Sequence, residues 1–403
     1  MLDQKKTGER IAELRKSKNL TQTALAEMLH VSHQAVSKWE NGVALPDIEV
    51  LLRMREVFGI SIDELLDSNP KAETPTPECE PATDPEELME LTVGPDESRV
   101  FASRVDVGSC TIKGKARFKA RFHADHIQVT GRAEFDERVE CDVLTQRGEF
   151  IAHQRLDTER LSNSGSMTVE RQFHSDIFEN TGALTFRDTA NADSAHNCGA
   201  FTVFGDLAVD RVRNTGAFTC HKNLTADSLD NSGAFTCHGN TTADTMENSG
   251  ALTCIQGLSV ADAQNHGSLK VEGDLSAATL RSDGNLTVNG NVNIASGELS
   301  GRFRIGKKLN GAGIRVTLSD ADCSAGEVVA ASLTVERHPG SKPTVMLTAR
   351  TIQVYQADLS FVVCDSVKAR TARIGEGCRI KRLECEEEPE ISPDAEVGEV
   401  VRG

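Results

Sequence analysis

Two groups of side chains in the sequence have the types and regular spacing that metal chemistry needs. Cys220, Cys237 and Cys254 recur every 17 residues, with His221 and His238 beside two of them, an arrangement of soft donors. There is no C-x₂₋₄-C pair, and adjacent residues of a strand point to opposite faces. These cysteines are therefore read as small core side chains, and no metal site is assigned. Asp125, Asp142, Glu159, Asp176, Asp193, Asp210, Asp227 and Asp244 recur at the same interval. Like charges so close repel unless solvated or bridged by cations. A water-exposed acidic edge is the preferred reading, with a ladder of divalent cations as the alternative. The chain carries no nucleophile elbow, P-loop, dinucleotide fingerprint or HExxH helix, so no catalytic residue, cofactor or small-molecule ligand is assigned and an enzyme is not expected.

Composition narrows the class further. The 403 residues exceed one ordinary domain, and 38% apolar content supports two cores. A net charge of −17 argues against a general nucleic-acid coat, so any contact with DNA must be local. One Trp, one Tyr and 4% aromatics leave few stacking platforms for sugars or unpaired bases. The eleven cysteines are odd in number and no export signal precedes them, so reduced thiols are expected. A charged N-terminus and the lack of a long apolar run predict a cytoplasmic protein without a membrane partner.

Stepping along the chain, residues 7 to 66 show helical apolar spacing at Ile11, Leu14, Leu25, Met28, Leu29, Ala35, Val36, Ile48, Leu51, Leu52, Val57 and Phe58. Four short helices and a fifth stub are expected. Thr21 and Ser32 are placed as N-caps, Gly42 and Gly59 lie past helix ends, and Pro46-Asp47 opens a helix. The string Leu20-Thr21-Gln22-x-x-Leu25-Ala26-Glu27-x-Leu29-x-Val31-Ser32-x-Gln34-Ala35-Val36-Ser37-Lys38-Trp39-Glu40-Asn41-Gly42 resembles the Cro/C1-type (XRE) helix-turn-helix family. The likeness continues through Ser61-Ile62-Asp63-Glu64-Leu65-Leu66.

This resemblance implies that a second helix of the motif, about Ser32 to Asn41, lies in the major groove of duplex DNA. It places His33, Gln34 and Lys38 at base edges, where amide and cationic side chains match adenine and guanine. Thr21, Gln22, Ser32, Ser37 and Asn41 complete the implied DNA-binding set, with Gln22, Ser32, Ser37 and Asn41 at phosphates. Ala26, Leu29, Val36 and Trp39 are core positions, and Arg15 and Glu40 match an internal ion pair. Through Asn69 there are nine Lys and Arg against eleven Asp and Glu, but residues 1 to 40 carry seven against five. That mild bias suits weak monomer binding strengthened by dimerisation.

The expected domains are residues 1–67, a Cro/C1-type DNA-binding head; 68–98, an acidic Pro-rich spacer unable to bury a core; and 99–403, a β-solenoid. Glycines at 114, 131, 148, 165, 182, 199, 216, 233, 250, 267, 284 and 301 fix a 17-residue period over about residues 108–301. Apolar residues favour 2, 4, 8, 10 and 13 positions after each glycine, as in Phe201, Val203, Leu207, Val209 and Val212. Three short strands per turn, separated by turns and stacked in a parallel coil, satisfy this pattern. Asn163, Asn180, Asn197, Asn214, Asn231, Asn248 and Asn265 then form a column whose amides hydrogen-bond along the axis.

Beyond Gly301 the glycine register lapses but alternation persists, so the coil is expected to continue with irregular turns to about residue 400. Ala372-Arg373-Ile374-Gly375-x-Gly377-Cys378-x-Ile380-x-x-Leu383-Glu384 and Ile391-x-Pro393-x-Ala395-x-Val397-Gly398 resemble the terminal turns of bactofilin-like polymer-forming solenoids. That resemblance implies self-association. The fold class is thus multidomain, an all-α helix-turn-helix domain followed by an all-β parallel β-solenoid with 17-residue turns. The function expected is a double-stranded DNA-binding transcriptional regulator that associates with itself, with a polymer-forming scaffold tethered to DNA as the alternative.

Overall fold

The computed structural model describes residues 4–18, 22–29, 31–40, 44–60, 65, 90–319, 321–342 and 344–402. Among the described residues, four helices build the head: α1 (Gln4–Ser17), α2 (Gln22–Leu29), α3 (His33–Glu40) and α4 (Ile48–Phe58). Their apolar stripes meet in one core of Ile11, Leu25, Ala26, Leu29, Val36, Trp39, Val50, Met54, Phe58 and Leu65. Burying each of the larger side chains contributes about 1.5–3 kcal/mol, which short helices need because they are marginal alone. Caps set the boundaries. Ser32 Oγ accepts from the Ala35 N–H at 3.2 Å and Asp47 Oδ1 from the Val50 N–H at 2.8 Å. Gly59, in the left-handed region at φ 72°, ends α4. The expected cap Thr21, the terminator Gly42 and, apart from the buried Leu65, the fifth stub lie outside the described residues.

A parallel β-solenoid of about 18 turns follows. Each regular turn holds a four-residue strand and an eight-residue strand, for example Ala200–Val203 and Leu207–Asn214. These pair in parallel with Ala217–Cys220 and Leu224–Asn231 one turn on. The longer strand corresponds to the second and third of the three expected strands. Its ladder skips Asp210 and Asp227 and then resumes, so the chain rounds a corner in one residue without an intervening turn. The first strand, Glu90–Val93, lies within the stretch expected to be spacer, and the second, Ser98–Phe101, begins at its last residue. There Leu91 and Val93 pair with Cys110 and Ile112 of the next turn, which draws this short segment into the coil.

The glycine column has a steric cause. A Cβ on Gly216 would overlap the carbonyl oxygen of Gly199 directly below it, and the same holds along the column. Only glycine lets successive turns close to ladder distance here. The interior is apolar and layered: Phe118 stacks on Phe135 at 4.8 Å, and Phe201 lies 4.5 Å from Phe218 between ring centres. At one corner each Asn amide donates to the Asn above, from Asn163 to Asn180 at 2.7 Å and from Asn231 to Asn248 at 2.8 Å. The same amide also donates to a backbone carbonyl of the next turn, as Asn214 does to Ala234 O. The ladder closes at Ser282 Oγ. At its lower end Gln146 turns its amide to Gly148 O and Ser166 O, leaving Asn163 Oδ1 buried without a partner.

Past Gly301 the coil continues without the glycine register, in longer strands such as Phe303–Leu318 and Cys323–Arg337. Leu309 pairs with Val328, Val328 with Ile352, Ile352 with Val367 and Leu383 with Val400, so successive turns differ in length while remaining parallel.

Candidate nucleic-acid interface

The helix pair α2–α3 is where the sequence-derived candidates gather. Residue 31 makes the turn between them, its N–H donating to Ala26 O at 3.0 Å. α3 presses Val36 and Trp39 into the head core, which fixes its rotation. Positions 33, 34, 37 and 38 therefore fall on the opposite side of the helix, within two turns of one another. Lys38 is exposed there, and Ser32, at the helix start, is exposed with its hydroxyl capping α3. Gln22 opens α2, while His33, Gln34 and Ser37 lie along α3. Thr21 and Asn41 lie outside the described residues. The chain thus gathers five of the eight sequence-derived candidates at or on one helix and sets a sixth at the start of its neighbour.

Two arginines hold this pair in place. Arg15, nearly fully buried, donates from Nε and Nη2 to the two carboxylate oxygens of Glu40 at 2.8 and 3.1 Å, tying α1 to the end of α3. This is the internal pair expected from the resemblance, and its parallel bonds give it geometric precision. The same guanidinium reaches Glu159 of the solenoid, Nη1 to Oε1 at 3.1 Å. Arg53 of α4 donates to the carbonyl of Leu29 at 2.7 Å, satisfying an orphan acceptor at the C-terminus of α2. Neither Arg53 nor the reach to Glu159 was apparent from the sequence, because both depend on how separate elements dock and have no local spacing signal.

The other chemical candidates resolve differently. Cys220, Cys237 and Cys254 are fully buried in one stacked column, and Cys220 and Cys237 both donate to Lys222 O. Burial pushes the Cys254 thiol up to about 12, as expected of an inert core sulfur. The acidic column is mixed: Asp142, Asp227 and Asp244 are exposed, whereas Glu159, Asp176 and Asp193 are half-buried. Burial, followed by the charge of Asp193, pushes the Asp176 carboxyl up to about 7. Glu134, Asp136 and His153 bring three potential metal donors within 4.8 Å. Arg117 donates to Asp136 at 3.1 Å, and His153 bonds Glu134 at 3.0 Å and Glu170 at 2.9 Å, so these groups form an ion-pair ladder.

Among the described residues no helix is long and apolar enough to cross a membrane.

Comparison with known proteins places the head. A helix-turn-helix family model matches residues 11–65. The chain is 50% identical over 59 residues to the HTH-type transcriptional activator BcrR of Enterococcus faecalis, covering 15% of this chain and 29% of that protein. It is 40% identical over 60 residues to the cryptic phage CTXphi transcriptional repressor RstR of Vibrio cholerae, 15% of this chain and 54% of the relative. With the ImmF control region 10 kDa protein of Bacillus phage phi105 it shares 38% identity over 65 residues, 16% of this chain and 72% of the phage protein. The chain thus spans less than a third of the first of these relatives and about half of the second. No solved structure matches the chain.

Proposed function

Because the chain belongs, through its head, to the helix-turn-helix family, we propose that it is a sequence-specific, double-stranded DNA-binding transcriptional regulator acting in the cytoplasm. The observation that carries this reading is the geometry of α3. Its core-facing side is fixed by Val36 and Trp39, and its free side presents the positions of His33, Gln34 and Lys38 in the register a groove-reading helix requires. In this proposal His33, Gln34 and Lys38 face base edges, Gln22, Ser32, Ser37 and Asn41 anchor phosphates, and Thr21 completes the DNA-binding set. Ser32 shares its hydroxyl between the helix cap and the backbone of DNA.

The head spans residues 1–67 and the spacer ends where the coil begins. The solenoid supplies no catalysis; it joins copies of the chain so that several heads engage neighbouring half-sites, which raises the affinity of a weakly basic head through effective concentration.

Competition gel shifts against a preferred duplex test the assignment. Lys38→Ala and Gln34→Ala are each expected to lose about 1–3 kcal/mol of discrimination while the circular dichroism of the chain is unchanged. Unaltered discrimination in both variants would refute the base-reading role of α3.

A further inference from the structure

Outward positions on the short strands form three parallel columns along the solenoid. Over four consecutive turns they read Ala200-Thr202-Phe204, Ala217-Thr219-His221, Ala234-Thr236-His238 and Ala251-Thr253-Ile255. The alanines are exposed and the threonines half-buried. Phe204 and Ile255 are 42% and 38% exposed. The rings of Phe204, His221 and His238 stack nearly parallel, with centres 4.5 and 5.0 Å apart. No Lys, Arg, Asp or Glu stands in these columns for four turns, although the chain carries a net charge of −17. The neighbouring outward face over the same region bears Arg213, Asp230 and Glu247, and the corner beside it bears the acidic column.

We propose that this flat face binds a second copy of the chain, face to face and antiparallel, about a two-fold axis between the turns of Thr219 and Thr236. The inference rests on the reading of the solenoid as a self-associating element and names the surface responsible. An antiparallel two-fold keeps each column opposite itself and reverses the order of turns. Thr219 then faces the second copy's Thr236, His221 its His238, and Phe204 its Ile255. Two pairs of the charges that flank the neutral stretch become complementary, Arg187 opposite Glu272 and Glu149 opposite Arg302, while Glu170, Lys270 and Arg304 meet the uncharged Asn289, Thr185 and Ile151. A parallel two-fold would instead set Arg187 against Ala183 and Glu272 against Ser268, leaving the charges that flank the neutral stretch most closely without a counterpart.

Two further features favour a second copy as occupant. Both faces repeat at the same interval, about 4.8 Å, so rows of Ala and Thr interlock over the four neutral turns. The four neutral turns with three flanking turns on either side, from Glu149 to Arg302, make ten turns about 13 Å wide, roughly 600 Å² per copy and ~1,250 Å² in total, at the lower end of the range for specific interfaces. The uncharged face is also where two strongly acidic molecules approach with least repulsion.

Sedimentation velocity on the full chain tests this. The wild type is expected to form dimers at micromolar concentration. Thr219→Lys with Thr236→Lys places four like charges at the centre of the interface and is expected to weaken association by about a hundredfold or more. Lys270 already occupies the same column, so the coil tolerates the substitution, and far-UV circular dichroism checks that it does. Ser228→Lys with Thr245→Lys, on the neighbouring outward face, is expected to leave the dimer intact. Arg187→Glu and Glu272→Arg should each weaken the dimer, and the two together should restore it. A persistent dimer in the Thr219/Thr236 variant, or no restoration by the charge swap, overturns the proposed face while self-association itself stands. A wild type that is monomeric at every concentration overturns both.

Discussion

Single residues carry the strictest demands of the coil. Each Asn of the corner ladder both donates to the next Asn and serves a backbone carbonyl, so its removal orphans groups that no water can reach. Asn231→Ala is expected to cost about 2–4 kcal/mol, read as a fall in melting temperature. The converse change is stabilising: Gln146→Asn would offer a donor to the unpartnered Asn163 Oδ1 and gain about 1 kcal/mol. His153 shows pH dependence at the same scale. Both ring nitrogens lie against carboxylates, Glu170 first and Glu134 second, which favours the protonated ring and raises its pKa above the ordinary 6.5. A raised folded-state pKa contributes stability that is present below 6.5 and is lost as pH rises through the shifted value. The stability advantage of wild type over His153→Gln, about half a kcal/mol for so exposed a group, should therefore vanish in melts at pH 9. The Asn column, the core cysteines and the Arg15–Glu40 pair were legible in the sequence because stacking repeats and a family pattern mark them. The partial burial of Asp176 was not, because a period shows which residues share a column and not how deeply that column sits.

At the scale of elements, the sequence marks boundaries well wherever a cap has a chemical signature. Asp47 is an example: its carboxylate holds the first turn of α4, and Asp47→Ala should lower the stability of the head by about 1 kcal/mol in a thermal melt. The helices of the head follow from 3.6-residue spacing and their ends from Ser32, Asp47 and Gly59. The strands were less legible. Apolar residues at 8, 10 and 13 positions after each glycine signal inward-facing points, but they do not distinguish two strands joined by a turn from one strand bent at a single residue. Hydrogen bonding decided this, because the ladder resumes on both sides of the Asp210 corner. Likewise the flat Ala-Thr face emerges only when outward positions from several turns are laid side by side.

For the whole molecule, the two parts differ in how they achieve order. The head folds around one small core, whereas each solenoid turn is stabilised by its neighbours, so length adds stability turn by turn. A regular 17-residue period made the architecture readable over the central turns, and its loss after Gly301 explains why only persistent alternation pointed to the later ones. Function was legible in the head alone, where residue types at fixed helical positions resemble a known groove reader; the coil bears no local motif because its surfaces are assembled from distant residues. The central claim is that α3 reads the sequence of paired bases. Incubating the intact chain with a pool of random duplexes at low salt, then sequencing what is retained, tests it most directly. A short enriched motif, lost with Gln34→Ala and Lys38→Ala together, is the predicted result; retention without enrichment, or no retention, would contradict it.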